Sequence, residues 1–226
     1  MNKALQPIVV IDGPAASGKS TTARMAAKAL GWLYLDTGAM YRAVTVKVLR
    51  QQIQLDDKAA IARLAEQVVI RLEPGEKGAR VFLDGDEISE AIRTPDVDRA
   101  VGPVCEIASV RERMVALQRL IGKNGALVAE GRDMGTVVFP EAPLKFYMNA
   151  SIEARARRRM ADQEAKGLTV DLNALMADIA ERDRRDSSRQ HSPLKPAEDA
   201  IFIDTTEMTI EDQVAVIVNK VKALGI

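Results

Sequence analysis

The sequence is short of several residue types, and each shortage excludes a class of protein. One cysteine, Cys105, occurs among 226 residues, which excludes an internal disulfide and favours a reducing compartment. Lysine plus arginine number 32, as do aspartate plus glutamate, so the chain lacks the positive charge typical of nucleic-acid-binding proteins. No apolar run approaches the roughly 20 residues that cross a bilayer, and the run before Asp12 is too short for a signal peptide. We expect a cytoplasmic monomer that binds neither nucleic acid nor membranes.

Short apolar runs alternate with helical patterns along the chain. Runs typical of buried strands cover residues 8–11, 126–130, 144–150 and 200–204. Helices are predicted over 20–30, 37–51, 56–66, 96–122, 151–166, 170–189 and 209–223. This alternation predicts an α/β fold with a parallel sheet covered by helices on both faces. The segment 68–89 departs from it, because PGEKG and an Asp84-Gly85 turn predict a small antiparallel insert.

A glycine-rich segment, GPAASGKST at 13–21, follows the first predicted strand. The spacing Gly13-x-x-x-x-Gly18-Lys19-Ser20 between a strand and a helix is typical of a phosphate-binding loop. Glycine lets backbone N–H groups close around phosphate oxygens, and the positive end of the helix dipole lies at the same place. The alternative is an ordinary glycine turn, but pattern and context together favour a nucleoside triphosphate site. The predicted ATP contacts are Gly13, Pro14, Ala15, Ala16, Ser17, Gly18, Lys19, Ser20 and Thr21, with Lys19 reaching the outer phosphates and Ser20 offering a hydroxyl to Mg²⁺.

Arginines on the predicted helix 170–189 form one stripe. In ERDRRDSSR, Arg182, Arg185, Asp186 and Arg189 have the spacing i, i+3, i+4, i+7. One interpretation is a solvated face with a weak Arg182–Asp186 pair. Beside a phosphate loop, a bound polyanion is the better interpretation, because guanidinium groups match phosphate oxygens.

The preceding helix carries four more arginines in ARARRRM, residues 154–160. These side chains cannot all point to the same side of a helix. We expect Arg157 or Arg158 to reach the donor nucleotide. Arg155 and Arg159, spaced i, i+4, are expected to support the helix surface instead.

Two polar segments are further candidates for ligand binding. Arg132 and Asp133 in GRDMG, residues 131–135, follow a predicted strand, where open α/β sheets hold ligands. A local Asx turn with an exposed arginine is the alternative. Asp36 or Thr37 is predicted to cap the helix that begins near 37, but capping does not explain Arg42 one turn later.

The sequence offers no obvious catalytic base. A kinase that phosphorylates a hydroxyl generally has a carboxylate near that hydroxyl. A kinase that phosphorylates another phosphate must instead overcome the repulsion between two anions, which many arginines would do. The second case fits better, although Asp36 or Asp133 could serve as a base. A non-catalytic module that binds ATP is a further alternative, but it would not need a second set of arginines.

These segments together resemble the bacterial cytidylate kinases, a family of nucleoside monophosphate kinases. The resemblance covers nearly the whole chain and rests on IDGPAASGKST, LDTGAMYR, IRTPDV, EGRDMGTVVFP and ERDRRDSSR, in the family's order. It implies an α/β fold with a five-stranded parallel sheet flanked by helices, a small antiparallel insert and a helical lid. A single kinase domain is implied, with a core over 1–36, 112–150 and 190–226, an acceptor-binding region over 37–111 and a lid over 151–189.

The resemblance also implies an activity and a set of site residues. The activity is direct in-line transfer of the γ-phosphate of ATP, with Mg²⁺, to CMP or dCMP, and the rival is a kinase of the same type with another acceptor. The implied charge-stabilising residues are Lys19, Arg132 and Arg182. The implied CMP contacts are Thr37, Arg42 and Arg132 at the phosphate, Arg111 and Asp133 at the cytosine, Arg182 and Asp186 at the sugar or transferring phosphate, and Arg189 at phosphate.

The assignment of Asp133 is also chemically reasonable. A carboxylate accepts a hydrogen bond from the N4 amino group of cytosine, whereas uracil presents a carbonyl oxygen there. An unpaired buried polar group costs about 1–3 kcal/mol, or about 5- to 150-fold in favour of CMP over UMP.

Two positions depart from the family pattern. Gly102 stands where some members have serine, and GKST replaces the commoner GKGT, which leaves open whether Ser20 or Thr21 binds Mg²⁺, with spacing favouring Ser20.

Overall fold

The computed structural model describes residues 7–75, 78–165 and 167–226. The chain divides into two compact units, of which the first comprises Met1–Leu33 and Gly125–Ile226 and the second comprises Tyr34–Asn124. The acceptor-binding region predicted over 37–111 falls within the second unit, and the predicted lid belongs to the first. Over the described ranges, no helix has the length and apolar character needed to cross a membrane.

The regular elements of the described residues are named here in chain order. The strands are β1 (Ile8–Asp12), β2 (Leu33–Asp36), β3 (Ile70–Glu73), β4 (Arg80–Leu83), β5 (Asp86–Glu87), β6 (Leu127–Gly131), β7 (Leu144–Asn149) and β8 (Ile201–Asp204). The helices are α1 (Lys19–Leu30), α2 (Thr37–Arg50), α3 (Lys58–Gln67), α4 (Pro95–Glu106), α5 (Ala108–Gly122), α6 (Ile152–Glu164), α7 (Leu172–Ser188) and α8 (Ile210–Leu224).

Five strands form the main sheet in the order β2-β6-β1-β7-β8. The strand β1 pairs in parallel with β6 and β7, and β7 pairs in parallel with β8. Val9, Val10 and Ile11 are fully buried, as expected for a central strand covered on both faces. The predicted α/β fold with a five-stranded parallel sheet is therefore confirmed.

The register of the sheet places two chain reversals, the glycine-rich loop at 13–21 and the GRDMG segment at 131–135, side by side. Asp12, the last residue of β1, is aligned with Gly131, the last residue of β6. The glycine-rich loop follows the first of these residues and the GRDMG segment the second. Because both follow the carboxyl ends of adjacent parallel strands, they emerge at the same edge of the sheet.

Helices α6 and α7 form a pair with a small apolar core of their own. Ala156, Leu175 and Ile179 are its buried members. The helices begin at side-chain caps, where Ser151 accepts from the Ala154 N–H and Asp171 from the Ala174 N–H. This pair carries both arginine-rich segments and lies within residues 151–189, the range predicted as the lid.

The second unit contains α2 to α5 and an antiparallel sheet in the order β3-β4-β5. This sheet confirms the predicted insert. Asp84 and Gly85 join β4 to β5 with φ values of 53° and 99°, the left-handed backbone of a tight hairpin turn. The predicted turn at PGEKG lies partly outside the described residues, because these omit 76 and 77.

Two predictions of secondary structure were wrong. Residues 96–122 form two helices, because Ile107 has an extended backbone with ψ of 118°. The search for apolar runs also missed the strand β2. Only Leu35 of this strand is fully buried, so its residues do not form a continuous apolar run.

Candidate active site

The segment between β1 and α1 has a backbone that requires glycine at two positions. Gly13 has φ of 153°, and a Cβ there would lie 2.0 Å from the carbonyl oxygen of Met148. Gly18 has φ of 92° and precedes α1, whose first N–H groups receive no side-chain cap. Uncapped N–H groups at a helix start bind anions well, so the geometry fits a phosphate loop.

Lys19 is buried at the start of α1. Its Nζ donates to the carbonyl oxygen of Pro14 at 3.1 Å and lies 3.9 Å from Oε2 of Glu130. Burial lowers the pKa of Lys19 to about 7, and the positive charge of Arg132 acts in the same direction while Glu130 opposes it. A phosphate anion beside this amine would stabilise its charged form, so the site is suited to a polyanion.

Glu130 is a site residue that the sequence reasoning missed. Its side chain is buried at the end of β6, next to Gly131. A charged residue within an otherwise apolar run at the carboxyl end of a parallel strand is the signal that could have identified it.

Arg132 and the arginine stripe of α7 meet at Asp186. Nε of Arg132 donates to Oδ2 of Asp186 at 2.9 Å, and Nη1 of Arg189 lies 3.6 Å from Oδ1. Although burial opposes the shift, Arg132 lowers the pKa of the Asp186 carboxyl, with help from Arg189 and Arg182. Asp186 is therefore not half of a solvated i, i+4 pair but the centre of a cationic cluster.

The arginines of α6 occupy positions different from those expected. Arg155 is buried, donates to the carbonyl oxygens of Ala150 and Ala15, and lies 2.6 Å from Asp183. The prediction that Arg155 supports the helix surface was wrong, because this side of α6 faces the glycine-rich loop and α7. Arg157 instead pairs with Glu153 on the exposed side of the helix.

Arg158 lies beside the glycine-rich loop. Its guanidinium donates to the hydroxyl and the carbonyl oxygen of Thr205. A Cβ on Gly18 would be 3.8 Å from its Nη1. Thr205 also donates to the carbonyl oxygen of Ser17 at 2.9 Å, so a continuous set of hydrogen bonds joins α6 to the loop. Of the two arginines predicted to reach the donor, the structure places Arg158 at the loop and Arg157 on the surface.

Ser20 and Thr21 are exposed in the first turn of α1. Their hydroxyls are accessible, and Mg²⁺ usually takes one or two protein oxygens together with phosphate oxygens and water. Within the described residues, no group of three histidine, cysteine, aspartate or glutamate side chains could hold a metal by itself. The exposed hydroxyls of Ser20 and Thr21 therefore fit a Mg²⁺ ion that takes its other ligands from phosphate and water.

Asp12 is a second residue that the sequence reasoning missed. Its Oδ1 accepts from the Met134 N–H at 2.9 Å and its Oδ2 from the Gly135 N–H at 2.8 Å. Burial raises the pKa of Asp12 to about 6 despite these two hydrogen bonds. Neighbouring Asp133, predicted to read the base, is also buried.

In the second unit, Asp36 is the cap of α2 and accepts from the Ala39 N–H at 2.9 Å. Thr37, the first residue of that helix, is buried. Arg42, one turn later, donates to the carbonyl oxygen of Ile92 at 2.9 Å and to Oδ1 of Asp98 at 2.5 Å.

Arg111 is a buried residue of α5 in the same unit. It donates to the carbonyl oxygen of Cys105 at 3.2 Å. The guanidinium carbon lies 5.3 Å from the centre of the Tyr41 ring. A guanidinium over an aromatic ring gains a cation–π interaction, which helps to hold the Arg111 side chain in place.

Comparison with known proteins agrees with this geometry. The family model described as cytidylate kinase matches residues 9–223. A cytidylate kinase of Enterococcus faecalis is 49% identical over 217 residues, 96% of each chain. One from Limosilactobacillus reuteri is 50% identical over 223 residues, covering 98% of this chain and 97% of the relative. A solved structure of an uncharacterized protein from Eubacterium ventriosum is similar in fold alone, with a TM-score of 0.56 and 12% identity over 96% of this chain and 99% of that one. The chain belongs to the cytidylate kinase family.

Proposed function

We propose that the protein transfers the γ-phosphoryl group of ATP to the phosphate of CMP or dCMP, giving CDP or dCDP and ADP. The observation that carries this proposal is the gathering of cations around the glycine-rich loop. Arg132 and Arg189 both contact Asp186, at 2.9 and 3.6 Å, and the positive charges of Arg132 and Arg182 both act on the buried amine of Lys19. Two phosphate groups brought end to end need this concentration of positive charge.

The donor is proposed to bind as its Mg²⁺ complex. Backbone N–H groups of residues 13–21 would hold the triphosphate, and Lys19 would reach its outer oxygens. The hydroxyl of Ser20 is the proposed protein ligand of Mg²⁺, which neutralises part of the phosphate charge when bound. Arg158, already beside Gly18, is the stronger candidate of the two α6 arginines for a donor contact.

The acceptor contacts are proposed from the family pattern and from the cluster at Asp186. Arg132, Arg182 and Arg189 would stabilise negative charge on the phosphates, with Asp186 keeping the cluster in place. Asp133 would accept from the cytosine amino group, and Arg111 would contribute to reading the base. Thr37 and Arg42 of the second unit would hold the acceptor phosphate.

These groups would catalyse by position and charge rather than by removing a proton. An attacking phosphate oxygen is already anionic near neutral pH, so no general base is required. The lysine and arginines would stabilise charge on the phosphoryl group during in-line transfer. Closure of α6 and α7 would exclude water that would otherwise hydrolyse ATP. We further propose that the protein is cytoplasmic and that it acts as a monomer. Gel filtration would test the oligomeric state.

A panel of acceptors separates this function from its rival, a kinase of the same type with another acceptor. ADP release would be followed with CMP, dCMP, UMP, AMP and small alcohols. We expect the highest kcat/KM with CMP or dCMP and a loss with UMP of about 5- to 150-fold. Absence of turnover with both CMP and dCMP at millimolar concentrations would contradict the proposal.

The variant Arg132→Ala tests the two-nucleotide picture against a module that only binds ATP. We expect a large loss of CMP binding with ATP binding largely kept, both measured by calorimetry. Arg184→Ala is a matched control, because Arg184 is an exposed arginine of α7 that pairs only with Glu181 among the described residues. Equal effects of Arg132→Ala on both nucleotides, or on neither, would contradict the proposed roles.

A further inference from the structure

Asp12 joins the two chain reversals at the edge of the main sheet. It immediately precedes Gly13, the first residue of the glycine-rich loop. Its two carboxylate oxygens accept from the N–H groups of Met134 and Gly135, which immediately follow Asp133. One side chain therefore connects the start of the donor loop to the segment that carries the proposed acceptor residues.

Burying the Asp12 carboxylate costs more free energy than a purely structural contact requires. Asp12 is 3% exposed and no cation of a described residue contacts its carboxylate directly, although the charges of Asp133 and Arg132 both act on its pKa. The nearby Lys145 directs its amine to both carboxylate oxygens of Asp199 instead, at 2.9 and 2.7 Å. A buried carboxylate without a cation carries a large desolvation cost, which an uncharged side chain would avoid. A carboxylate, however, is the side chain that offers two equivalent acceptor oxygens to two adjacent N–H groups.

The segment on the other side of the contact is closely packed. A Cβ added to Gly135 would lie 3.2 Å from Cδ of Lys145, 3.4 Å from Cβ of Ala197 and 3.5 Å from Oδ2 of Asp12. Met134 is fully buried. The backbone at 134–135 is thus held between the carboxylate and the stem of Lys145, and its position depends on both.

We propose that Asp12 is a positioning residue of the phosphoryl transfer, which holds Arg132 and Asp133 in register with the phosphate loop through the backbone of Met134 and Gly135. The inference rests on the proposed function, because it assumes that the GRDMG segment binds the acceptor. In-line transfer requires the attacking oxygen and the donor phosphorus to be aligned, and a displacement of about 1 Å can lower the rate about 100-fold. A tether between the two loops meets that requirement.

The experiment compares Asp12→Asn with the wild-type enzyme in steady-state kinetics. Asparagine keeps one acceptor oxygen but turns an amide group towards one of the two N–H groups. We expect kcat to fall about 10- to 100-fold and KM for CMP to rise, with ATP affinity within about threefold of wild type. A structural role alone would lower the melting temperature without separating CMP from ATP. The matched control is Asp204→Asn, because Asp204 ends β8 and accepts from the N–H and hydroxyl of Thr206.

Gly135→Ala perturbs the same contact from its other side and serves if Asp12→Asn does not fold. It should reproduce the selective loss with CMP, and the double variant should lose little more than either single variant.

The outcomes separate the inference from the proposed function. If the wild-type protein does not phosphorylate CMP or dCMP, the proposed function fails. If it does, but Asp12→Asn or the substitute Gly135→Ala keeps kcat and KM for CMP within twofold, the positioning role of Asp12 is overturned. Additive losses in the double variant would also count against it.

Discussion

Arg155 gives the sharpest test of how the phosphate loop is held. Its guanidinium donates to the Ala150 carbonyl oxygen at 3.0 Å and to the Ala15 carbonyl oxygen at 3.2 Å, and lies 2.6 Å from Oδ2 of Asp183. The variant Arg155→Ala would break all three contacts at once. It would also leave the carboxylate of Asp183 partly buried without its cation.

The expected loss of stability follows from the burial of this pair. Removing one partner of a buried ion pair costs about 3–5 kcal/mol. The Asp183 side chain keeps 23% exposure, so water can compensate in part, and we expect a loss of about 2–4 kcal/mol. An exposed pair such as Arg184–Glu181 contributes little, because water and salt screen its charges. Arg155→Ala should therefore destabilise the protein far more than Arg184→Ala, and Arg155→Lys should lie between them.

Urea unfolding followed by the fluorescence of Trp32 would measure these differences, since Trp32 is the single tryptophan of the chain. Because the Ala15 carbonyl belongs to the phosphate loop, ATP affinity should also fall in Arg155→Ala but not in Arg184→Ala. If the two variants unfold within 1 kcal/mol of each other, Arg155 does not anchor the loop and the reasoning fails.

Three further predictions concern the loop and the strand before it. In Lys19→Ala, kcat should fall at least about 100-fold with the circular dichroism spectrum unchanged, because charge stabilisation in transfer is lost; activity within a few-fold of wild type would show that the loop has another role. In Gly18→Ala, the φ of 92° and a Cβ 3.0 Å from Oε1 of Gln213 should weaken ATP binding in calorimetry, and an unchanged Kd would contradict the required backbone. Because burial raises the pKa of Asp12 from 3.8 to about 6, the folded state binds this proton more tightly than the unfolded state. Lowering the pH from 7 to 4 should therefore stabilise wild type relative to Asp12→Asn by about 2 kcal/mol in urea unfolding, and a constant difference would refute the shift.

Much of the fold could be predicted from local patterns. Buried parallel strands are continuous apolar runs, so β1, β6, β7 and β8 were identified, and hairpin turn residues identified the insert. The strand β2 escaped because it lies at an edge of the sheet and includes exposed Leu33. The break at Ile107 escaped because its backbone change needs no glycine or proline at that residue, and the helical pattern continues across it.

A site residue could be predicted from the sequence where a motif contains it, but not where only the packing of the fold brings it to the site. Lys19 and Arg132 are in recognisable segments, whereas the pairing of β1 with β6 is what brings Asp12 to the backbone of Met134 and Gly135 and Glu130 to Lys19. Arg155 shows a second limit, because i, i+4 spacing puts two side chains on one face without saying whether that face is buried. The orientation of α6 is set by its contact with α7, which the spacing of its arginines does not encode.

The division of the chain has a consequence for its synthesis on the ribosome. Residues 34–124 form a continuous unit, whereas the other unit is assembled from segments on both sides of it. The strand β1 is made early, but its partners β6 and β7 begin at Leu127 and Leu144. Since domains generally fold as units during translation, the inserted segment can fold while the first 33 residues still wait for their neighbours. A nascent chain whose residue 124 has just left the ribosome should therefore have a protease-resistant middle and a cleavable N-terminal segment that has not yet gained any affinity for ATP.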